Sequence, residues 1–397
     1  MSLDAEKYRG SGLFAKALGL GIVFTGIALA AILIDRKAAL FSYLVAFANW
    51  AGIAMGSLIL LMIFHAFRAK WMVVLRRPLE AMAATVPLFL LLAIPVLLNL
   101  GDIYAWVNPE GAGIFTEHEL HLLHNKHGYL NTTFFVGRTV AYFVIATLVA
   151  WRLFGLSTRQ DVSGDPSLTQ KLRNLGTGAL PLMAVVITFA AFDWLMSLNP
   201  IWFSTIFGVY YFAGSFWSTI AVLIIVLTVA RDKDSLGRFV GVEHIHNLGK
   251  LLFAFTCFWG YIGFSQMMLI WIAGLPEETP FYIVRMKGQW AGVGIFLILG
   301  HFVVPFAILL MRDIKRKPVR LSLVAGWALL MNLLDVFWLV MPTYDAVKVV
   351  PHWSLLFGYV GLGALGVAFA LWKIRGHYTV PVKDPFLGTS LRYRQPT

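Results

Sequence analysis

Long apolar runs separated by short polar stretches set the rhythm of this chain. Ten runs reach the roughly 20 predominantly apolar residues that an α-helix needs to cross a bilayer. They fall at about 13–34, 40–67, 79–100, 130–154, 176–198, 202–230, 248–273, 288–311, 319–341 and 352–373. The pattern predicts an all-α, polytopic membrane protein of about ten transmembrane helices. The fifth and sixth runs nearly fuse, and Asn199-Pro200 between them predicts a tight hairpin. The seventh run is the most informative. It carries Lys250, Ser265 and Gln266 among Phe253, Phe255, Phe258, Trp259, Tyr261, Phe264 and Trp271, and a Pro-Glu-Glu-Thr turn closes it at 276–279. Lipid cannot hydrate those polar groups, so each is expected to face protein or a wet cavity.

Composition agrees with the pattern. The 397 residues are 59% hydrophobic and only 13% charged, with a mean hydropathy of +0.76. A soluble chain carries about 25% charged residues. The net charge of +12 does not point to nucleic acid, because the basic residues form no stripe with interleaved aromatics. They sit between the apolar runs, where they report topology. One side collects 23 of the 32, among them Arg68, Lys70, Arg76 and Arg77, then Arg231, Lys233 and Arg238, then Arg312, Lys315, Arg316 and Lys317. The other side has Arg36, Lys37, Lys126, Arg285, Lys287 and Lys348. That asymmetry predicts both termini in the cytoplasm, which an even number of spans allows. The polar start, MSLDAEKYRGSG, predicts a first span kept as an anchor rather than a cleaved signal. No segment is large enough for a soluble domain, so chemistry outside the membrane is expected from partner subunits. The single cysteine, Cys257, lies in a span, so the chain alone can hold no iron–sulfur cluster and no Cys-based zinc.

Candidate chemistry comes from ionisable groups in or beside the spans. Asp102, Arg138, Asp193 and Asp335 belong to the outer side; His65, Glu80, Lys250 and His301 lie toward the middle and inner side, with His301 nearest the midplane. A lone charge at such depth is costly, so Arg138 is expected to pair with Asp102 or Asp193. The division into two sets is the layout of two half-channels meeting near the bilayer centre. Structural pairs that fix helix register would use the same residues. Three segments, Asp102 to Pro109, Asp193 to Pro200 and Asp335 to Pro342, each read Asp, six residues including Trp, then Pro, which suits duplicated helix bundles. His118, His121, His124 and His127 recur every third residue. At 3.6 residues per turn the outer two drift apart, so no four-His metal site is expected and an interfacial helix touching a partner is favoured. Haem is not expected either, since only His65 and His301 lie well within spans. Trp259, Tyr261, Ser265, Gln266 and Trp271 would supply aromatic walls and hydrogen-bond partners for a quinone, with ordinary helix packing as the commoner use of such residues.

The seventh run also carries a resemblance. The strings H-x-L-G-K (His246 to Lys250), F-S-Q (264–266), L-I-W (269–271) and L-P-E-E-T (275–279) resemble the ActF-type membrane subunit of bacterial alternative complex III. That subunit belongs to the NrfD-like, polysulfide-reductase-type family. His127-Gly-Tyr-Leu-Asn-Thr-Thr-Phe-Phe with Arg138 is similar to the same subunit, as is Phe192-Asp-Trp-Leu-Met-Ser-Leu-Asn-Pro running into Trp202 to Tyr210; together the matches span 118–290. The resemblance implies two four-helix bundles, 40–198 and 202–341, with 13–34 and 352–373 peripheral. It implies a subunit of a quinol:cytochrome c oxidoreductase in a bacterial inner membrane, contributing proton half-channels or scaffolding. A second NrfD-like subunit would be the better host for quinol or menaquinol, and His127, which opens one similar segment, joins the quinone candidates. Haem c and iron–sulfur clusters would belong to periplasmic partner subunits, no cofactor would be held by this chain alone, and no catalysis is expected from it in isolation. The remaining partners are lipids. A proton-coupled secondary transporter and a purely structural subunit are the competing readings.

Overall fold

The computed structural model describes residues 6–10, 12–230 and 236–394. Arg231 and Lys233, counted above for topology, lie outside the described residues. Among the described residues ten helices are long and apolar enough to cross a membrane: α1 Gly12–Ile34, α2 Arg36–Ala66, α3 Lys70–Leu98, α4 Thr132–Ser163, α5 Ser167–Leu198, α6 Phe207–Ala230, α7 Val242–Ala273, α8 Gly288–Leu310, α9 Pro318–Thr343 and α10 Ser354–Ile374. No strand occurs among the described residues. The protein is an all-α, multi-pass membrane protein.

Local chemistry sets where these helices start, stop and break. Asp35 caps α2 by accepting from the Ala38 amide at 3.3 Å, and Asn131 caps α4 by accepting from Phe134 at 2.9 Å. α4 runs past the apolar run ending at 154, because a helix does not stop at the bilayer surface; it stops at Gly164, whose φ of +68° closes it. The sixth run also shifts. Its helix begins at Phe207 rather than 202, since Trp202 is held in the connection by stacking on Phe281, centroids 3.9 Å apart. α3 is fragmented into Lys70–Leu75, Arg76–Ala83, Val86–Leu92 and Ile94–Leu98, with Pro87 and Pro95 removing the donors that would continue it. In α8 a wide turn, Ile298–Val303, precedes Pro305, and His301 sits in that turn.

Packing then sorts the helices. α2, α3, α4 and α5 close one four-helix ring, and α6, α7, α8 and α9 close a second; α1 pairs with α10, and that pair lies on α2. α2 is the hub: 94% of its apolar window is buried, against 28% for α1, α7 and α8, which keep broad faces for lipid. The rings meet along α2 and α6. A Cβ on Gly56 would come 2.6 Å from Thr219 Oγ1, and Thr219 in turn donates to the Ile53 carbonyl at 3.0 Å. Small residues let membrane helices approach this closely. Gly56→Leu should cost about 1–3 kcal/mol by forcing the rings apart, read as a lowered unfolding temperature in detergent. An unchanged value would mean the seam is loose.

The segments before α1 and after α10 meet at one end of the helix array, where Tyr8 donates its amide to the His377 carbonyl at 2.9 Å. The segment after α10 folds back there, and Ser390 Oγ donates to the Trp71 carbonyl at 2.7 Å. This end also gathers Arg68, Lys70, Arg76, Arg77 and Arg173 and is the basic end of the protein.

Candidate functional site

The first polar centre lies inside the α2–α5 ring. Asp193, at the last turn of α5, is 0% exposed. Arg138 on α4 grips it with two parallel bonds, Nε to Oδ2 and Nη2 to Oδ1, both 2.8 Å. Tyr142 donates to Oδ2 at 2.6 Å and Tyr129 to Oδ1 at 3.0 Å. Arg138 also donates to the Tyr129 carbonyl at 2.8 Å and stacks 3.7 Å from the centroid of that ring. Every lone pair facing the cation is used and the net charge is zero. The arrangement is that of a structural ion pair that ties α4 to α5.

Of the two acids open to Arg138, Asp193 is the partner and Asp102 is not. Asp102 sits in a separate short helix, Leu100–Ile103, and accepts from Arg36 Nε at 2.9 Å in an exposed pair. The breakup of α3 carries it out of the span, so it drops from the buried outer set.

The second centre lies inside the α6–α9 ring, and each of the four helices contributes. Asp335 on α9 is 3% exposed. It accepts from Tyr210 on α6 at 2.5 Å and from Trp259 on α7 at 3.0 Å. Among the described residues it has no ion-pair partner. His301 on α8, 0% exposed, is stacked between Trp259 (3.7 Å, 8° between planes) and Trp217 (4.1 Å, 19°). Neither nitrogen of His301 has a hydrogen-bond partner among the described residues. Trp217 is fixed in turn by the Thr256 hydroxyl at 3.0 Å. The result is a buried acid held by neutral donors, sharing one indole with a buried imidazole.

Arg285, counted above as a loop charge, proves to be a buried structural cation. It donates to the Phe281, Trp338 and Leu339 carbonyls at 2.9, 3.2 and 2.7 Å. The last two end α9, where the helix dipole favours a cation. Burial pulls Arg285 down to about 9, so it keeps its charge at neutral pH. Its recorded hydrogen bonds all go to backbone carbonyls, and none goes to Asp335.

At the basic end Glu80 belongs to a third group. It lies 3.4 Å from Arg76 Nε and 2.7 Å from Arg77 Nη1. Arg77 also binds Asp161, and Arg76 binds Asp384 at 2.6 Å and Gln160 at 3.4 Å. The sequence reading missed Asp161 and Asp384 because both lie in polar stretches outside the apolar runs. The adjacent pair Arg76-Arg77 at the mouth of a span was the available signal, since two buried cations need acids from elsewhere. Among the described residues His65 joins no ion pair, and its Nε2 is without a partner. Lys250 is half-buried and also makes no ion pair among the described residues. The inner candidates therefore do not form one cluster, and no hydrogen bond among the described residues joins them to Asp335.

The six quinone candidates are not brought together. Trp259 and Gln266 face the ring interior, and Gln266 donates to the Tyr282 hydroxyl at 3.0 Å. Ser265 is half-buried. Tyr261 and Trp271, 66% and 78% exposed, point away from the ring. His127 ends a different helix, Glu117–Lys126, and is exposed. At 100° per residue, a run that is aromatic on all sides sends some rings inward and others out. His118, His121 and His124 are exposed on that same short helix. No family model matches this chain, and no curated protein matches it.

Proposed function

We propose that this chain is a membrane subunit of a respiratory quinol:acceptor oxidoreductase of the ActF-type, NrfD-like kind, and that Asp335 and His301 carry protons through it. The observation that carries the reading is a carboxyl sunk in a membrane bundle with a tyrosine and an indole as its only hydrogen-bond donors among the described residues. Ionisable groups buried in membrane helices mark proton and ion paths more often than buried groups of soluble proteins mark function. Asp335 accepts and releases the proton, Tyr210 and Trp259 hold the carboxylate when the proton has left, and His301 offers the next acceptor. The resemblance over 118–290 supplies the rest. Quinol oxidation then belongs to a second NrfD-like subunit, and haem c and iron–sulfur clusters belong to periplasmic partners passing electrons to an acceptor such as cytochrome c. The setting is a bacterial inner membrane with both termini, and the basic end, in the cytoplasm.

A proton-coupled transporter is the second reading, favoured by the interruptions in α3 and α8, since transporters bind solutes at broken helices. Affinity purification of the full chain from its native membrane separates the two. Co-purification of c-type haem and quinol:cytochrome c reductase activity is expected. A lone monomer whose stability responds to small solutes would sink the first reading.

A further inference from the structure

A cleft of about 390 Å³ opens at the basic end, between the last turn of α2, the start of α3, the start of α5 and the returning C-terminal segment. Its rim holds three cations, Arg68, Lys70 and Arg173, and none of them makes an ion pair among the described residues. Its one acid, Asp384, is already neutralised by Arg76 at 2.6 Å. The cleft therefore presents unbalanced positive charge. His65, whose buried Nε2 has no partner among the described residues, forms part of the wall. The first turn of α5 adds the Thr169 hydroxyl and the positive end of a long helix. Below the rim the lining turns apolar, with Phe64, Met72, Val73 and Phe386.

Charge above and hydrocarbon below, at the level where spans end, is the complement of one class of molecule. We propose that this cleft binds an anionic phospholipid, its phosphate held by Arg68, Lys70 and Arg173 and its glycerol and upper acyl carbons lying against Phe64 and Phe386. A soluble phosphate would use the rim and leave the floor in water; a zwitterionic lipid would bring its own cation against the rim. Basic pockets at helix ends are a general way for membrane proteins to take anionic headgroups. The site touches α2, α3 and α5 together, so an occupant would also tie the C-terminal segment to the first ring.

The test uses the full chain in detergent, with bound lipid counted by native mass spectrometry during titration with phosphatidylglycerol or phosphatidylcholine. Wild type should retain phosphatidylglycerol and release phosphatidylcholine. Each rim cation should account for roughly fivefold, so R68Q/K70Q/R173Q should weaken retention by about 100-fold. The control R152Q/R159Q/K171Q removes the same charge from exposed positions at that end and should stay within about threefold of wild type. Should the triple variant not fold, Arg173→Gln alone should still show a loss of about fivefold. Retention by the cleft variant equal to wild type overturns the proposal. So does equal loss in both triple variants, which would mean diffuse attraction, or displacement of the lipid by millimolar inorganic phosphate.

Discussion

Arg138→Met is expected to destabilise the protein by about 3–5 kcal/mol, because it leaves a buried carboxylate without its cation. Asp193 would keep the hydroxyls of Tyr142 and Tyr129, but two neutral donors do not replace a guanidinium held at 2.8 Å through two bonds. The loss is more than one contact. Arg138 also fixes the Tyr129 carbonyl and both neighbouring rings, Tyr129 and Phe134, at the mouth of α4. Removing both partners together is a different experiment. Arg138→Met with Asp193→Leu deletes the charge problem and should recover most of the stability, since a well-packed apolar pair often equals a buried ion pair. Unfolding in detergent, followed by tryptophan fluorescence (Trp194 lies against the site), reads both. If the single variant were as stable as wild type, the pair would not hold α4 and α5 together, and proton carriage would be the better use of Asp193.

How far the sequence revealed these centres depended on whether a residue's environment is set by the bilayer or by tertiary packing. The ten spans were legible because hydrophobic thickness is a property of lipid and acts on each run separately. Arg138 needing an acid was legible for the same reason. Which acid was not, because that depended on where α3 ends, and two prolines break that helix in a way hydropathy averages over. Asp335 and His301 were legible as isolated groups on different helices. Their joining through Trp259, and the clamping of His301 by Trp217, follow from how four helices rotate against one another, which no single run records. The same rotation turned Tyr261 and Trp271 outward. Arg285 looked like a topology charge because it lies between spans, yet the short helix Thr279–Arg285 folds it under the end of α9. Similar Asp-to-Pro segments led, in the two rings, to opposite solutions: one acid saturated by arginine, the other left with neutral donors.

That contrast sets the outcome for Asp335→Asn. Asparagine matches the carboxyl in shape and keeps an oxygen for the Trp259 indole, while its amide can donate to the Tyr210 oxygen, so the fold should survive. It cannot take up a proton. If the chain works in the quinol:acceptor complex proposed above, proton movement per electron in proteoliposomes holding that complex should fall by about 100-fold, the lower range for a positioned group in proton transfer. Electron transfer with the membrane uncoupled should persist. His301→Phe preserves the stack between Trp217 and Trp259 but removes both nitrogens, and it should give the same loss if the imidazole is the next acceptor. Asp193→Asn should behave otherwise, losing stability through the stranded Arg138. Uncoupled and coupled rates unchanged in the Asp335 and His301 variants would leave the ring as scaffold. A fold that only needed to close four helices would gain more from a leucine at position 335 than from an acid that pairs with no cation among the described residues.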